Sequence, residues 1–423
     1  MKISKYNVSF FRNEKYIIFN TYTGCQYTSD IPLEELEHQL NIGELRREKI
    51  DELVKLGIIT NDNNEFKSAL DKLEKFRNSD KYLHLMVYVT DECNSSCVYC
   101  PQKKEVSFFS NDDINRLIKF VSNKITEIKY LNVEWFGGEP LMALNTIVQL
   151  SRAFIALCIG NNVTYTSGIT TNATLLDKRT FYKLTQLHVL NYQITLDGFE
   201  NVHNAQRPLK NGKNSYNIIL KNLFQIRDNY IGKVDIIIRV NISKLSFDDL
   251  DHFFDFLYES FGSDERFSFL LRIVNNWGGE KIESFKDNLL SVQSFEYVYK
   301  LAKRKHLRLL DKSLTFGIGS MVCGASKKNF YGVDVGCKLY KCILFKDDQS
   351  LIGQIDDKGN INVYNNEKLS IWKNANNRTE KCITCKSAPQ CMGYQCPLNN
   401  LLGEKYNCQD FYFTSNNRYK TIL

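Results

Sequence analysis

Between Tyr82 and Val274 the chain alternates short apolar runs with longer amphipathic ones, and that alternation restricts its possible architectures more than any other feature. Six runs read as strands: Tyr82 to Val89, Tyr130 to Phe136, Val163 to Ile169, Val189 to Leu196, Val234 to Ile242 and Phe267 to Val274. Apolar runs of this length, rich in β-branched and aromatic residues, suit strands covered on both faces. Helical spacing runs over Leu144 to Ile159, Asp177 to Leu187, Ser215 to Asp228 and Phe247 to Phe261. Ser110-Asn-Asp-Asp113 is a capping box that opens another helix, to about Ile125. Repeated strand-helix units predict an α/β fold with an open (β/α)6 partial barrel in place of the closed eight-unit form. Ligands in such sheets sit at the C-terminal ends of the strands.

Polar residues gather at those ends. The first strand runs into Cys93-Asn-Ser-Ser-Cys97-Val-Tyr99-Cys100, a C-x3-C-x2-C loop. Three thiolates on so short a loop can grip three corners of a cubane iron-sulfur cluster and leave one iron open to a small molecule. A zinc knuckle or ordinary buried thiols are the rival readings, but zinc takes four tetrahedral ligands and no fourth Cys or His lies nearby. After the second strand, Gly137 and Gly138 permit close backbone approach to a ligand, and Glu139, ahead of Pro140, offers an acceptor for an ammonium. The third strand ends in Thr170-Thr171-Asn172-Ala173. The fourth ends in Thr195-Leu196-Asp197-Gly198 and continues to His203, Arg207-Pro208 and Asn211-Gly212-Lys213-Asn214-Ser215-Tyr216, a stretch also readable as a turn and helix cap. Arg239 and Asn241 put polar groups into the apolar fifth strand, where burial demands a partner, either a ligand or an internal salt bridge. Cys158 sits in an apolar helix and reads as core, and Cys25 as a spare thiol.

Together these residues resemble the radical S-adenosylmethionine (radical SAM) enzymes. The resemblance rests on the cysteine spacing after a strand, on Tyr99 before the last cysteine and on Gly137-Gly138-Glu139-Pro140 as the family's GGEP motif. Thr171-Asn172-Ala173 resembles the TNG turn, with Ala where glycine is usual; the Thr195 to Tyr216 stretch resembles the SLDG, H, RP and NGxGSF series of the peptide-modifying branch. This implies a partial TIM barrel and a 4Fe-4S cluster on Cys93, Cys97 and Cys100 whose open iron chelates the amine and carboxylate of S-adenosyl-L-methionine. It further implies that Tyr99, Gly137, Gly138, Glu139, Pro140 and Asn172 belong to the cofactor site and that Thr195 and Arg207 hold the methionine carboxylate, with the ribose or carboxylate of SAM as the partner that buried Arg239 requires.

Two further regions flank this core of residues 81 to 312. In residues 1 to 80, strand patterns at Asn7 to Phe11 and Lys15 to Asn20, helices at Pro32 to Leu40 and Ile42 to Leu56, and a wing at Ile58 to Thr60 read as a winged helix-turn-helix. Arg46, Arg47 and Lys49 alternate with Glu44, Glu48 and Asp51, which is poor chemistry for reading DNA and counts against a nucleic-acid partner. By resemblance this is a RiPP recognition element, a module that takes the leader of a ribosomally made precursor peptide as an added β-strand. In residues 320 to 423, Cys323, Cys337, Cys342, Cys382, Cys385, Cys391, Cys396 and Cys408 resemble the SPASM domain, although four residues rather than three separate Cys391 from Cys396. Carried over, Cys382, Cys385, Cys391 and Cys408 hold an outer auxiliary cluster, and Cys323, Cys342 and Cys396 an inner one, with Cys337 as its candidate fourth ligand.

With 13 cysteines in 423 residues, no apolar h-region at the N-terminus and no run of eighteen uncharged apolar residues, the chain is expected in the cytoplasm, away from membranes, using its thiols for metal. The net charge of +7 is spread over interleaved acids and bases. The implied activity is reductive cleavage of SAM and oxidation of a precursor peptide, forming a thioether or carbon-carbon crosslink, with electrons from a flavodoxin or ferredoxin. Two alternatives are an anaerobic sulfatase maturase making formylglycine and a non-catalytic iron-sulfur or zinc-binding regulator. The first carries a general-base Asp directly after an inner-cluster cysteine, whereas Lys338 and Ile343 follow Cys337 and Cys342 here.

Overall fold

A computed structural model describes residues 1–102, 106–276, 280–291, 294–310, 317, 319, 322–342, 346–374 and 378–393. The chain divides into two compact units, Met1–Ser79 with Lys312–Lys328 and Glu367–Leu423, and Asp80–Asp311 with Asn329–Asn366.

The first unit opens with strands β1 (Lys2–Ile3), β2 (Asn7–Arg12), β3 (Lys15–Asn20) and β4 (Gln26–Ser29), helices α1 (Leu33–Ile42) and α2 (Arg47–Lys55), strand β5 (Ile59–Thr60) and helix α3 (Glu65–Arg77). β2, β3 and β4 form an antiparallel meander, and β1 pairs with β5. Side-chain alternation along β3 buries both faces, Phe19 packing with Val8 and Phe10 while Ile18 packs with Leu36, Leu53, Ile58 and Ile59. Gly43, at φ +77°, closes α1, so the second helix begins at Arg47 and not at Ile42 as the periodicity suggests. β1, β4 and α3 are additional to the elements that the sequence pattern suggests. α3 matters because Arg77, almost fully buried at its end, donates to Ser326 O at 3.0 Å, to Ser326 Oγ at 3.2 Å and to Lys373 O. One guanidinium thereby ties together the three stretches of chain that make this unit.

The second unit continues with β6 (Tyr82–Tyr88), α4 (Asn111–Lys124), β7 (Tyr130–Phe136), α5 (Leu144–Gly160), β8 (Thr164–Thr171), α6 (Lys178–Gln186), β9 (Val189–Thr195), α7 (Glu200–Gln206), α8 (Ser215–Asn229), β10 (Asp235–Ile242), α9 (Lys244–Phe247), α10 (Leu250–Leu257) and β11 (Phe267–Ile273). The Ser110–Asp113 capping box is present in both directions. β6 to β11 are all parallel and lie in sequential order, the expected six-unit sheet. On β7 the fully buried Leu131, Val133 and Trp135 alternate with half-buried Asn132, Glu134 and Phe136, so the second face carries the polar groups. The sheet also runs on past β6. β12 (Phe330–Val333) pairs with it in parallel, and β13 (Lys338–Tyr340), β14 (Leu351–Ile355) and β15 (Ile361–Val363) follow antiparallel, making ten strands among the described residues. These short strands fall within the cysteine-rich region of residues 320 to 423. Among the described residues only Pro140–Gly160 is apolar and long enough to cross a bilayer, and it buries Ile147, Leu150, Phe154 and Cys158.

Candidate active site at the C-terminal ends of the parallel strands

The loop that leaves β6 is pinned along both of its halves. At its start, Gly138 N donates to Thr90 O at 2.9 Å and Glu139 N to Glu92 O at 2.8 Å. A Cβ on Gly137 would collide with Thr90 O, and one on Gly138 with Asp91 O and Glu92 O. The close approach these two glycines allow is therefore to the chain's own cysteine loop. Further along, Ser96 N donates to Pro208 O at 2.8 Å, Val98 N to Gln206 O at 3.0 Å and Lys210 N to Asn94 O at 2.9 Å, around an antiparallel bridge between Ser95 and Leu209. That register sets Cys97 opposite Arg207 at a non-hydrogen-bonded position, where facing side chains leave on the same side and lie closest. Cys93 and Cys97 are buried, Cys100 is half-buried, and Ser95 N points at Cys93 Sγ from 3.4 Å. Among the described residues no three His, Cys, Asp or Glu side chains gather tightly enough for a single metal ion. Thiolates at separate corners of a cubane need not converge in that way.

On one side of this loop lies a carboxylate network. Glu139 is fully buried and accepts from Thr171 Oγ1 at 2.6 Å, Asn172 N at 2.7 Å and Leu141 N at 3.0 Å. Burial raises its pKa, and these donors together with the Arg207 charge oppose the rise. Asn172 Nδ2 reaches back to Asn94 Oδ1 at 2.7 Å and Ser95 Oγ at 3.1 Å, tying β8 to the cysteine loop. Ala173 adopts φ +59°, which accounts for the glycine usual at this position: the turn needs left-handed backbone.

On the other side, Tyr99, Asp197, Arg207, Arg239 and Asn241 form a second network. Tyr99 Oη donates to Asp197 Oδ2 and accepts from Arg207 Nη1 at 2.8 Å and Asn241 Nδ2 at 3.1 Å. Asp197 Oδ1 takes Asn241 N at 2.8 Å and Asn241 Nδ2 at 3.0 Å, and Arg239 Nε donates to Asn241 Oδ1 at 2.8 Å. Thr195 pairs with Arg239 across β9 and β10. Burial raises the Asp197 pKa against the pull of Arg207. Burial works to lower the Arg207 pKa, yet Cys97, Tyr99 and Asp197 outweigh it and hold the guanidinium well above its usual value. His203 is fully buried, receives Asp197 N on Nδ1 at 3.2 Å and is pushed down to about 3 by burial and by Arg207, so its imidazole stays neutral. Ser215 Oγ donates to Arg207 O at 3.1 Å, so the Asn211 to Tyr216 stretch braces the arginine.

Asp197 was the site residue that sequence reasoning undervalued. It reads as a turn former, yet α7 is capped at Phe199 without a side-chain bond and Asp197 is a buried hub. The signal available was an acid at the end of an apolar strand, with an arginine ten residues on. A third group went unnoticed: Lys346 Nζ binds Asp91 Oδ1 and, at 2.9 Å, Asp334 Oδ2, and lies 4.7 Å from the Tyr88 ring centre.

The cysteines of the C-terminal region are distributed over both units. Cys323 is exposed and Cys382, Cys385 and Cys391 are half-buried in the first; Cys342 is half-buried in the second. Cys337, also in the second, is fully buried, donates its S–H to Asp113 O at 3.2 Å and is pushed up to about 12 by burial. Cys396 and Cys408 lie outside the described residues.

Residues 87–257 match the radical SAM superfamily, and the chain carries a radical SAM domain over that span. Such domains hold a 4Fe-4S cluster and SAM, and three cysteines on a doubly pinned loop between two polar networks fit that pair. An uncharacterized protein of Methanocaldococcus jannaschii is 31% identical over 156 residues, 35% of this chain and 50% of that one. A serine-type anaerobic sulfatase-maturating enzyme of Klebsiella aerogenes is 27% identical over 143 residues, 33% of this chain and 35% of the enzyme. The chain thus spans half or less of the length of these two curated relatives. Among solved structures, anSMEcpe with bound AdoMet and Cp18Cys peptide aligns with TM-score 0.57 at 15% identity, over 81% of this chain and 98% of that one. Streptococcus suis SuiB bound to the precursor peptide SuiA aligns with TM-score 0.51 at 15% identity, over 96% and 97%. At such identities the two structures establish the fold.

Proposed function

We propose that the protein is a radical SAM maturase that oxidises a ribosomally made precursor peptide, forming a thioether or carbon-carbon crosslink. The observation that carries this reading is the loop of Cys93, Cys97 and Cys100, fixed between Gly138-Glu139 and the 206–210 segment with a polar network on either side. Bound together, the 4Fe-4S cluster and SAM supply a 5'-deoxyadenosyl radical able to take hydrogen from an unactivated carbon. The chain's own part is binding and orientation. Glu139 uses three of about four acceptor positions on its neighbours and keeps one for the ammonium of SAM. Arg207 and Arg239, beside Thr195, offer donors to the SAM carboxylate. Residues 1 to 80 would act as a RiPP recognition element, where an extended leader adds to the edge of the β2–β3–β4 meander through backbone hydrogen bonds. Residues 320 to 423 would act as a SPASM domain, with auxiliary clusters on Cys382, Cys385, Cys391 and Cys408 and on Cys323, Cys342 and Cys396. Flavodoxin or ferredoxin would deliver electrons in the cytoplasm.

Anaerobic sulfatase maturation is the second reading, favoured by the Klebsiella relative and by the alignment with anSMEcpe. Against it, Lys338 and Ile343 occupy the positions after Cys337 and Cys342. The full chain, reconstituted anaerobically with iron, sulfide, SAM and dithionite, should release 5'-deoxyadenosine, and Cys97→Ala should release none. A peptide encoded beside the gene should lose two hydrogens, whereas formylglycine in a sulfatase-derived peptide would select the second reading. Without 5'-deoxyadenosine both readings fail.

A further inference from the structure

The 206–210 segment does more than brace the cysteine loop. Its register sets Arg207 directly across from Cys97, on the side of the ladder from which that thiol projects, with the Ser96 N–Pro208 O bond on one side of the pair and the Val98 N–Gln206 O bond on the other. The guanidinium is fixed there by Tyr99 Oη at 2.8 Å, while Ser215 Oγ holds the Arg207 carbonyl at 3.1 Å. Tyr99 is itself only one residue from Cys100. The neighbouring Arg239 is engaged by Asn241 and lies across from Thr195, on β10 rather than on the ladder. Asp197 offers a counter-charge, and it is held by Tyr99 Oη and by Asn241 N and Nδ2.

We propose that Arg207 sets the reduction potential of the cluster on Cys93, Cys97 and Cys100 by holding a fixed positive charge beside the Cys97 sulfur, in addition to any contact with SAM. A cluster becomes more negative when it accepts an electron. A neighbouring cation favours the reduced form and raises the potential, as net charge and hydrogen bonds around cluster sulfurs do generally. The inference rests on reading those three cysteines as cluster ligands. It differs from the carboxylate-binding role in one respect: a purely SAM-binding arginine would leave the potential unchanged when SAM is absent.

The test uses the full chain, anaerobically reconstituted, with redox titrations followed by electron paramagnetic resonance. The site cluster is recognised as the signal that changes on adding SAM and disappears in Cys97→Ala. Arg207→Gln should lower the potential of that signal with and without SAM, and Arg207→Lys, which keeps the charge but not the fork, should fall between Gln and the parent. If Arg207→Gln does not retain the cluster, the Lys variant alone must show a lowered potential without SAM. A potential unmoved without SAM, accompanied by weakened SAM binding, would overturn the inference while leaving the cluster reading intact. Retention of the SAM-responsive signal in Cys97→Ala would overturn both.

Discussion

Gly138 and Glu92 lie so close that a single added methyl group on the glycine would occupy the space of the Glu92 carbonyl oxygen. The obstruction is backbone, which cannot swing aside as a flexible side chain can. Gly138→Ala should therefore cost roughly 1–3 kcal/mol, as overpacking does, and displace the cysteine loop. A lower melting temperature together with reduced iron per chain after reconstitution would be the result; unchanged iron content would refute the role given to this contact.

Lys346 neutralises two carboxylates, Asp91 and Asp334, all three side chains being largely shielded from water. Lys346→Met should destabilise the second unit by about 3 kcal/mol at neutral pH, because it strands two facing acids. Burial already raises the Asp334 pKa, Lys346 lowers it and Asp91 raises it again. A carboxyl whose folded pKa lies above its unfolded one binds protons first in the folded state, so stability improves as pH falls through that window. The melting deficit of the variant should accordingly narrow on acidification.

His203 has the opposite dependence. With its folded pKa pushed down to about 3 against an ordinary value near 6.5, the unfolded chain binds the proton first as pH falls. Stability should decline by roughly 2 kcal/mol between pH 6.5 and 5 on account of this residue alone. His203→Gln should flatten that part of the pH profile in thermal melts followed by circular dichroism.

Tyr99 joins Asp197, Arg207 and Asn241 through a single hydroxyl. Tyr99→Phe should keep the fold and weaken SAM binding by about tenfold, the worth of one hydrogen bond to a charged group. Equilibrium binding on the reconstituted protein would measure it.

Cys337 and Cys342 should separate cleanly. Cys337 is buried and its sulfur is directed at Asp113 O, so Cys337→Ala should leave iron content unchanged. Cys342→Ala should lower it, and iron and sulfide analysis of the two variants would settle the difference.

Much of the second unit was legible because its local signals agree with its global packing. Ser110 with Asp113, and apolar runs such as Ile236 to Ile242, admit few other structures. The short strands β12 to β15 were not, since three to five residues carry too little periodicity to stand out among cysteines and glycines. In the site, Glu139 stands out by its type and its place at a strand end, and Arg207 through its resemblance to the RP of the peptide-modifying branch. What spacing could not reveal was which group faces which: that the two glycines approach backbone, that Asp197 is a hub, or that Cys97 and Arg207 share a ladder. Those relations arise from pairing between distant segments.

The parallel pairing of β12 with β6 also bears on how the chain is made. The strand that launches the cysteine loop remains an open edge until residues 330–333 have been synthesised and have docked, long after the other five parallel strands exist. A protein truncated near residue 311 would keep every strand of the six-unit sheet but expose that edge to pairing with other chains. Such a fragment should accumulate as aggregate, and attempts to isolate the radical SAM domain by itself would need to carry the returning strand with it.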